Sequence, residues 1–347
     1  MASIREATTL LEWFDRHRRD LPWRRTRDPY RIWLSEVMLQ QTRIETVLPY
    51  YQRFLEKFPT VEDLGRAEVE EVLVLWSGLG YYRRARQLHA AAVRVVELGG
   101  FPRTVEGLRE LPGIGSYTAA AVASIAFGVA EPVLDGNVER VLSRWLALEL
   151  DPKSRPARQR MLAAAAGLLV PDRAGDSNQA LMELGATVCV PKRPRCLLCP
   201  IAAGCQAAAG NDPERFPIPR AKRERELHRL LVAVVERDGG VLLFRRQEDR
   251  ALLAGIWELP WTSLELSEAG LAERYGGQWS LGPRVGSVRH SITFRDLELE
   301  VHRAEVVDPE GTLGWFGEKE RGEMPLSSLV TKVLRLMAPG SPPAGFR

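Results

Sequence analysis

The spacing of apolar residues changes period once along this chain, and that change divides it into two units of different class. Through about residue 210, apolar positions recur three and four apart in the segments 4–14, 32–39, 44–58, 69–76, 88–98 and 138–148. That spacing predicts amphipathic helices and an all-α unit over residues 1–210. Between 211 and 229 the pattern gives way to Pro213, Pro217 and Pro219 with a basic run of Arg220, Lys222, Arg223 and Arg225, the composition of an extended linker. Beyond it the period is two. Segments 230–235 and 241–245 flank Asp238-Gly239-Gly240 as an expected hairpin, and Leu297, Leu299 and Val301 alternate with Glu298, Glu300 and His302. A smaller α+β unit over 230–340 is therefore expected, within a length of 347 residues that allows two or three domains.

The four cysteines are the second constraint. Cys189, Cys196, Cys199 and Cys205 fall in one stretch in the pattern Cys-x6-Cys-x2-Cys-x5-Cys, and the rest of the chain has none. Disulfides staple distant loops, whereas four thiols in one short segment make a ligand set for a single metal centre, either zinc or an iron–sulfur cluster. The uneven 6-2-5 spacing favours a 4Fe-4S cluster, which a single compact loop can wrap. Pro191, Pro194 and Pro200 make the segment irregular and ill suited to burying four inert thiols in a core. Lys192, Arg193 and Arg195 in the same loop could face phosphate, with the cluster fixing the loop's shape.

Composition excludes some classes and decides little else. A net charge of +3 is carried by 42 Arg against 6 Lys. Arginine suits bidentate phosphate contacts, but a GC-rich coding sequence would give the same bias. No apolar run approaches the length of a membrane span, and the first residues lack a signal-peptide core, so the cytoplasm, in association with the nucleoid, is the expected location.

A third motif is Leu111-Pro112-Gly113-Ile114-Gly115-Ser116-Tyr117-Thr118-Ala119-Ala120, set between a short predicted helix over 105–111 and an Ala-rich one over 116–126. Its glycines permit a tight turn that bares backbone N–H groups at a helix N-terminus. With Thr118 in the first helical turn, Gly113 and Gly115 are candidates for holding a DNA phosphate without reading sequence. A plain interhelical turn is the competing explanation.

This helix-hairpin-helix followed by a four-cysteine loop resembles the endonuclease III superfamily of DNA glycosylases. Further motifs resemble its MutY-type adenine branch. They are Leu21-Pro22-Trp23-Arg24, the run from Trp33 to Thr42 that contains Ser35-Glu36-Val37-Met38-Leu39-Gln40-Gln41, Gly78-Leu79-Gly80-Tyr81-Tyr82, and Leu134-Asp135-Gly136-Asn137-Val138. With the hairpin and cysteines they span residues 21–205 in the family's order. The last third fits as well, since this branch carries a Nudix-like domain there and Leu252 to Pro260 resembles its early strand region.

The resemblance implies a chemistry. Breaking the bond from an undamaged adenine to its sugar needs one group to protonate the base and another to stabilise a cation-like sugar, which two carboxylates in different environments can supply. Glu36, among Trp33, Leu34 and Val37, would be the general acid. Asp135 would face the sugar with Asn137 in support, although an N-cap is the ordinary job of an Asp before a helix. Bifunctional relatives carry a lysine nucleophile where Tyr117 stands, so strand cleavage through a Schiff base is not expected. Leu21, Trp23, Arg24 and Gln179 match positions lining the pocket for the extruded adenine. Gln41 and Tyr81 match positions that fill and wedge the stack. Core packing is the ordinary alternative for Trp23 and Tyr81.

The C-terminal unit departs from its relatives in two places. Segment 263–276 has scattered Glu265, Glu268 and Glu273 and lacks the acidic helix that Nudix hydrolysis needs. Where the family has a Phe-Ser-His triplet that recognises 8-oxoguanine, this chain has Ile292-Thr293-Phe294, with the Thr293 hydroxyl kept and the histidine absent. The resulting expectation is a monomeric, monofunctional enzyme that excises adenine opposite 8-oxoguanine or guanine in double-stranded DNA. Its rivals are a glycosylase for oxidised pyrimidines or mismatched thymine, a non-catalytic iron–sulfur DNA-binding protein, and a nucleotide-binding Nudix module.

Overall fold

The computed structural model describes residues 4–218, 224–246, 255–292 and 294–337. The chain divides into two compact units that are not cut at a single point in sequence: one comprises Met1–Arg66 and Ala90–Ala221, the other Ala67–His89 and Lys222–Arg347. Helices run in chain order as α1 (Ile4–His17), α2 (Pro29–Leu39), α3 (Ile44–Lys57), α4 (Val61–Arg66), α5 (Val69–Trp76), α6 (Arg83–Glu97), α7 (Val105–Arg109), α8 (Ser116–Phe127), α9 (Gly136–Trp145), α10 (Arg155–Gly167), α11 (Ala174–Thr187) and α12 (Gln206–Ala209). Each helical segment expected from the spacing of apolar residues is present.

Helices α2 and α8 carry the candidate acid and the tyrosine of the hairpin motif. In α2, Asp28 caps the N-terminus by accepting from the Tyr30 N–H at 2.9 Å, and Pro29 occupies the first turn, where its missing N–H costs nothing. Eight of its residues are buried between Tyr30 and Met38, with Arg31 alone of that stretch exposed, so Glu36 at its centre is buried too. Helix α8 is Ala-rich and buried from Thr118 to Ile125, which lets neighbouring backbones come close. Leu10, Phe14, Phe54 and Leu64 of the same unit are buried as well, and the Trp33 ring is set edge-on to Phe101 at 5.5 Å.

The second unit holds two sheets. Strand β1 (Glu226–Val234) lies between β5 (Trp261–Ser263) and β7 (Arg295–Val307), and β7 also pairs with β6 (Gln278–Ile292). The β1–β7 pairing is parallel and the others antiparallel. The second sheet joins β2 (Glu236–Arg237), β3 (Gly240–Arg245), β4 (Trp257–Glu258) and β8 (Leu313–Phe316) around β3. Alternation along β1 feeds two cores. Leu231 and Ala233 face Leu271 and Tyr275 of α13 (Ser267–Tyr275), whereas Val232 and Val234 face Val330 and Val333 of α15 (Ser328–Met337), with the short α14 (Glu318–Gly322) between β8 and α15. Leu299 and Val301 are buried as their alternation predicted.

The expected hairpin differs from the observed one. The turn at Asp238 and Gly239 is present, with φ of 50° and 80°, but only Glu236 and Arg237 pair back onto β3. Strand β1 is flanked on both edges by β5 and β7, so the chain leaves that sheet at Val235 and enters the other. The segment expected as an extended linker also differs at both ends. Pro213–Arg215 forms a helical turn, Phe216 is buried, and β1 begins at Glu226. Bonds among the described residues tie 67–89 into the second unit. The Ser77 and Tyr82 hydroxyls donate to the Leu326 carbonyl at 3.1 and 2.5 Å, and Arg245 pairs with Glu70 at 2.6 Å. Thr293 and Leu252 to Ala254 lie outside the described residues. Among the described residues, no helix is long and apolar enough to cross a membrane.

Candidate active site and cysteine centre

Glu36 is 7% exposed on α2, and the Tyr117 hydroxyl, from the second residue of α8, donates to its Oε2 at 2.6 Å. Burial pushes the Glu36 carboxyl up to about 7. The Tyr117 bond and the Arg24 charge pull it down, and Asp135 pushes it up. An acid raised this far can keep its proton near neutral pH. Tyr117 keeps its own proton, because burial and then the neighbouring carboxylates raise its pKa well above normal. Its hydroxyl also lies 3.5 Å from the Met182 sulfur on α11.

Asp135 is the N-cap of α9, and its charge is also felt at Glu36. Its Oδ1 accepts the Val138 N–H at 2.7 Å and its Oδ2 accepts the Asn137 amide at 3.0 Å. Burial raises its pKa, and these bonds with the Arg140 charge counter the rise. Asn137 is held in turn, with its Oδ1 accepting from Arg140 at 2.9 Å. Beneath Asn137 lies Gly185 of α11, where a Cβ would stand 2.7 Å from the Asn137 Cβ. Only a glycine lets α9 and α11 approach this closely.

The other expected pocket residues are positioned as follows. Leu21 and Trp23 are buried, with Trp23 edge-on to Tyr51 at 5.2 Å, so core packing accounts for part of its environment. Gln179 is buried on α11. Arg24 is nearly buried, stacks over Phe14 at 5.4 Å, and pairs with Glu183 at 2.8 Å. Gln41 and Tyr81, in separate units, are exposed and have φ of 56° and 51°. Left-handed backbone at a non-glycine residue costs energy and marks a tip held in place by its surroundings.

At the hairpin, Gly113 has a φ of 73° and is exposed together with Gly115, which is the N-cap of α8. Thr118 turns the other way. It is 2% exposed with its hydroxyl accepting from Gln40 at 3.4 Å, which leaves only its backbone N–H, in the first helical turn, for a phosphate.

The four cysteines are free thiols lining a single cavity whose walls include Val141, Leu184, Val188 and Ile201. Burial, reinforced by the neighbouring sulfurs, pushes the Cys199 thiol up to about 12. Four sulfurs in such a place favour a cationic centre that would take their charge. Among the described residues, no three or more His, Cys, Asp or Glu side chains are arranged to grip one metal ion, and the sulfurs instead surround a volume. Arg144, 2% exposed, clamps the start of the loop. It donates to the Val190 and Pro191 carbonyls at 2.7 and 2.8 Å and to the Cys189 sulfur at 3.3 Å. Arg140 donates to the Cys189 carbonyl at 2.8 Å.

Sequence reasoning did not single out Arg140, Arg144, Met182 or Glu183. The signal available for the first two was an i,i+4 arginine pair on a helix beginning at the candidate Asp135, which puts both on one face. For Glu183 the only signal was a charge one residue from an apolar stretch of α11.

A helical unit with a helix-hairpin-helix, a buried carboxylate pair and a four-thiol cavity defines a base-excision DNA repair protein. Residues 34–165 match the HhH-GPD superfamily of base excision DNA repair proteins, and residues 231–336 match the NUDIX domain family. The chain is 37% identical to the human adenine DNA glycosylase over 94% of this chain and 73% of that one. It is 41% identical to the mouse adenine DNA glycosylase over 95% and 77%. Among solved structures, a thermostable thymine-DNA glycosylase is 31% identical with a TM-score of 0.54, covering 59% of this chain and 95% of that one. Endonuclease III in a trapped covalent complex with DNA shares the fold at a TM-score of 0.51 and 24% identity. The chain belongs to the adenine DNA glycosylase family: it is an enzyme of base excision repair that acts on adenine in DNA.

Proposed function

We propose that the enzyme excises adenine mispaired with 8-oxoguanine or guanine in duplex DNA, acting as a monomer and leaving an abasic site without cutting the strand. The observation that carries this reading is the Tyr117 hydroxyl on Glu36, beside the Asp135 cap. It puts a carboxyl that retains a proton near pH 7 next to a carboxylate fixed at a helix N-terminus, with no amine nucleophile at the hairpin position.

In this reading, adenine turned out of the stack enters a pocket lined by Leu21, Trp23, Arg24 and Gln179. Glu36 gives its proton to a ring nitrogen of the base. The bond from the sugar C1′ then breaks with its electron pair leaving on adenine. The Asp135 carboxylate, oriented by Asn137 and favoured by the α9 dipole, stabilises the cationic sugar until water adds and loses a proton. Tyr81 wedges into the base stack, Gln41 fills the gap on the opposite side, and the backbone N–H groups around Gly113, Gly115 and Thr118 hold a phosphate. Cys189, Cys196, Cys199 and Cys205 hold a 4Fe-4S cluster, supported by four sulfurs around an apolar cavity and by the Arg144 clamp. Bound there, the cluster supplies charge balance and rigidity to the loop carrying Lys192, Arg193 and Arg195. Thr293 contributes to reading the base opposite adenine.

The test is a set of end-labelled duplexes bearing A:8-oxoguanine, A:G, T:G or thymine glycol, each reaction split with and without alkali. Breaks at A:8-oxoguanine and A:G that need alkali are expected. Breaks without alkali would overturn the monofunctional reading, and breaks only at the pyrimidine sites would overturn the choice of substrate.

A further inference from the structure

Glu183 takes no part in the proton transfer from Glu36 or in stabilising the sugar, yet it is wholly buried and charged. The Arg19 backbone N–H and Nε donate to its Oε1 at 3.1 and 2.8 Å, and the Arg19 and Arg24 Nη2 groups donate to its Oε2 at 2.7 and 2.8 Å. Arg24 is further fixed by its Nη1 bond to the Arg19 carbonyl at 3.1 Å and by the Phe14 ring. Glu183 also lies one helical turn from Gln179, on the same face of α11. One anion therefore ties a pocket arginine to the helix behind the carboxylate centre.

This arrangement answers an electrostatic conflict. A guanidinium beside an acid favours the carboxylate, whereas an acid that protonates a leaving base must keep its proton. The charged and titratable groups facing Glu36 are Tyr117 from α8, Asp135 at the start of α9 and Arg24 from the turn at Pro22–Arg24. Of these three only Arg24 bonds to Glu183. We propose that Glu183 is a positioning residue for adenine excision, which holds the Arg24 guanidinium in the pocket wall and counters its charge so that Glu36 stays protonated. Burial alone would raise the Glu183 pKa, but Arg19 and Arg24 hold it down to about 2, so the counter-charge is constant wherever the enzyme works. The inference rests on Glu36 being the acid.

The test is the pH dependence of single-turnover adenine excision from an A:G duplex, measured on the full-length protein and on Glu36→Gln, Glu183→Gln and Arg19→Gln. Protonated Glu36 is the active form, so the wild-type rate falls as pH rises, with a midpoint near 7. Glu183→Gln leaves the Arg24 charge uncountered and is expected to move that midpoint down by about one unit, a roughly ten-fold rate loss on the alkaline side beyond any change in the plateau. Arg19→Gln gives Glu183 wholly to Arg24 and moves the midpoint up by a few tenths of a unit. Arg19 is partly exposed, so this variant decides the matter if Glu183→Gln does not fold. A lowered plateau with unmoved midpoints would make Glu183 merely structural and overturn the inference alone. Wild-type excision by Glu36→Gln would remove the acid itself, and the inference with it.

Discussion

The carboxylate centre and the turn joining β6 to β7 are built in opposite ways. Glu36 is buried at the centre of a largely buried helix, and its pKa is set by groups the fold holds in place. At the strand ends beside that turn the polar groups stand nearer solvent. The Ser291 hydroxyl donates to Asp296 at 2.6 Å and Arg225 pairs with the same carboxylate, with Ser291 and Arg225 exposed and Asp296 partly so. Chemistry on a base needs a proton kept against water, which burial provides. Reading the opposite base needs groups that remain available until DNA arrives, so little in the free protein fixes their energetics.

The largest expected effect breaks the comparison at its buried end. Glu36→Gln keeps the shape and removes the proton donor, and should lower the single-turnover excision rate by about 10³-fold, within the range for a positioned general acid, while gel-shift affinity for the mispair is retained. The same variant tests whether the centre is held at a cost in stability. The folded Glu36 pKa of about 7 lies above the unfolded value of 4.5, so the native state binds the proton more tightly. That contribution is complete below pH 4.5 and is lost as pH rises through 7. Relative to wild type, Glu36→Gln should gain up to about 3 kcal/mol in denaturant unfolding between pH 5 and pH 8. No gain would mean that Glu36 is hydrated rather than buried.

A smaller effect sharpens the same end. Gly185→Ala sets a methyl against the Asn137 Cβ and backbone, which must move with Asp135 on one short helix start. Overpacking of this kind costs about 1–3 kcal/mol, and here it should reduce excision by more than the stability loss explains. Equal binding with about ten-fold slower single-turnover excision is the expected pattern. Unchanged excision in a destabilised variant would show that Asn137 need not be fixed by α11.

What the sequence made legible follows the same divide. The cysteines stand out by their spacing, Glu36 and Tyr117 were singled out because each sits in a short motif that resembles one of the family's, and burial of Glu36 followed from its apolar neighbours. The Arg19–Glu183 pair joins residues 164 apart, and the Arg144 hold on Cys189 joins residues 45 apart. Neither leaves a local signal. The expected hairpin was misread for a related reason. Its turn chemistry is local and correct, whereas the pairing of β1 depends on β5 and β7, which come much later in the chain.

The smallest expected effect is that of Thr293→Ala, which removes a single hydroxyl from the segment proposed to read the opposite base. A neutral hydrogen bond contributes about 0.5–1.5 kcal/mol, and the lower part of that range is expected for a single hydroxyl. The ratio of excision rates on A:8-oxoguanine and A:G should therefore drop by about two- to five-fold, with the A:G rate itself unchanged. Both rates falling together would mean that Thr293 serves folding or general DNA contact. An unchanged ratio would place discrimination between the two partners elsewhere, and Tyr81, the proposed wedge, would be the next residue to substitute, because it falls in the same unit as these strands.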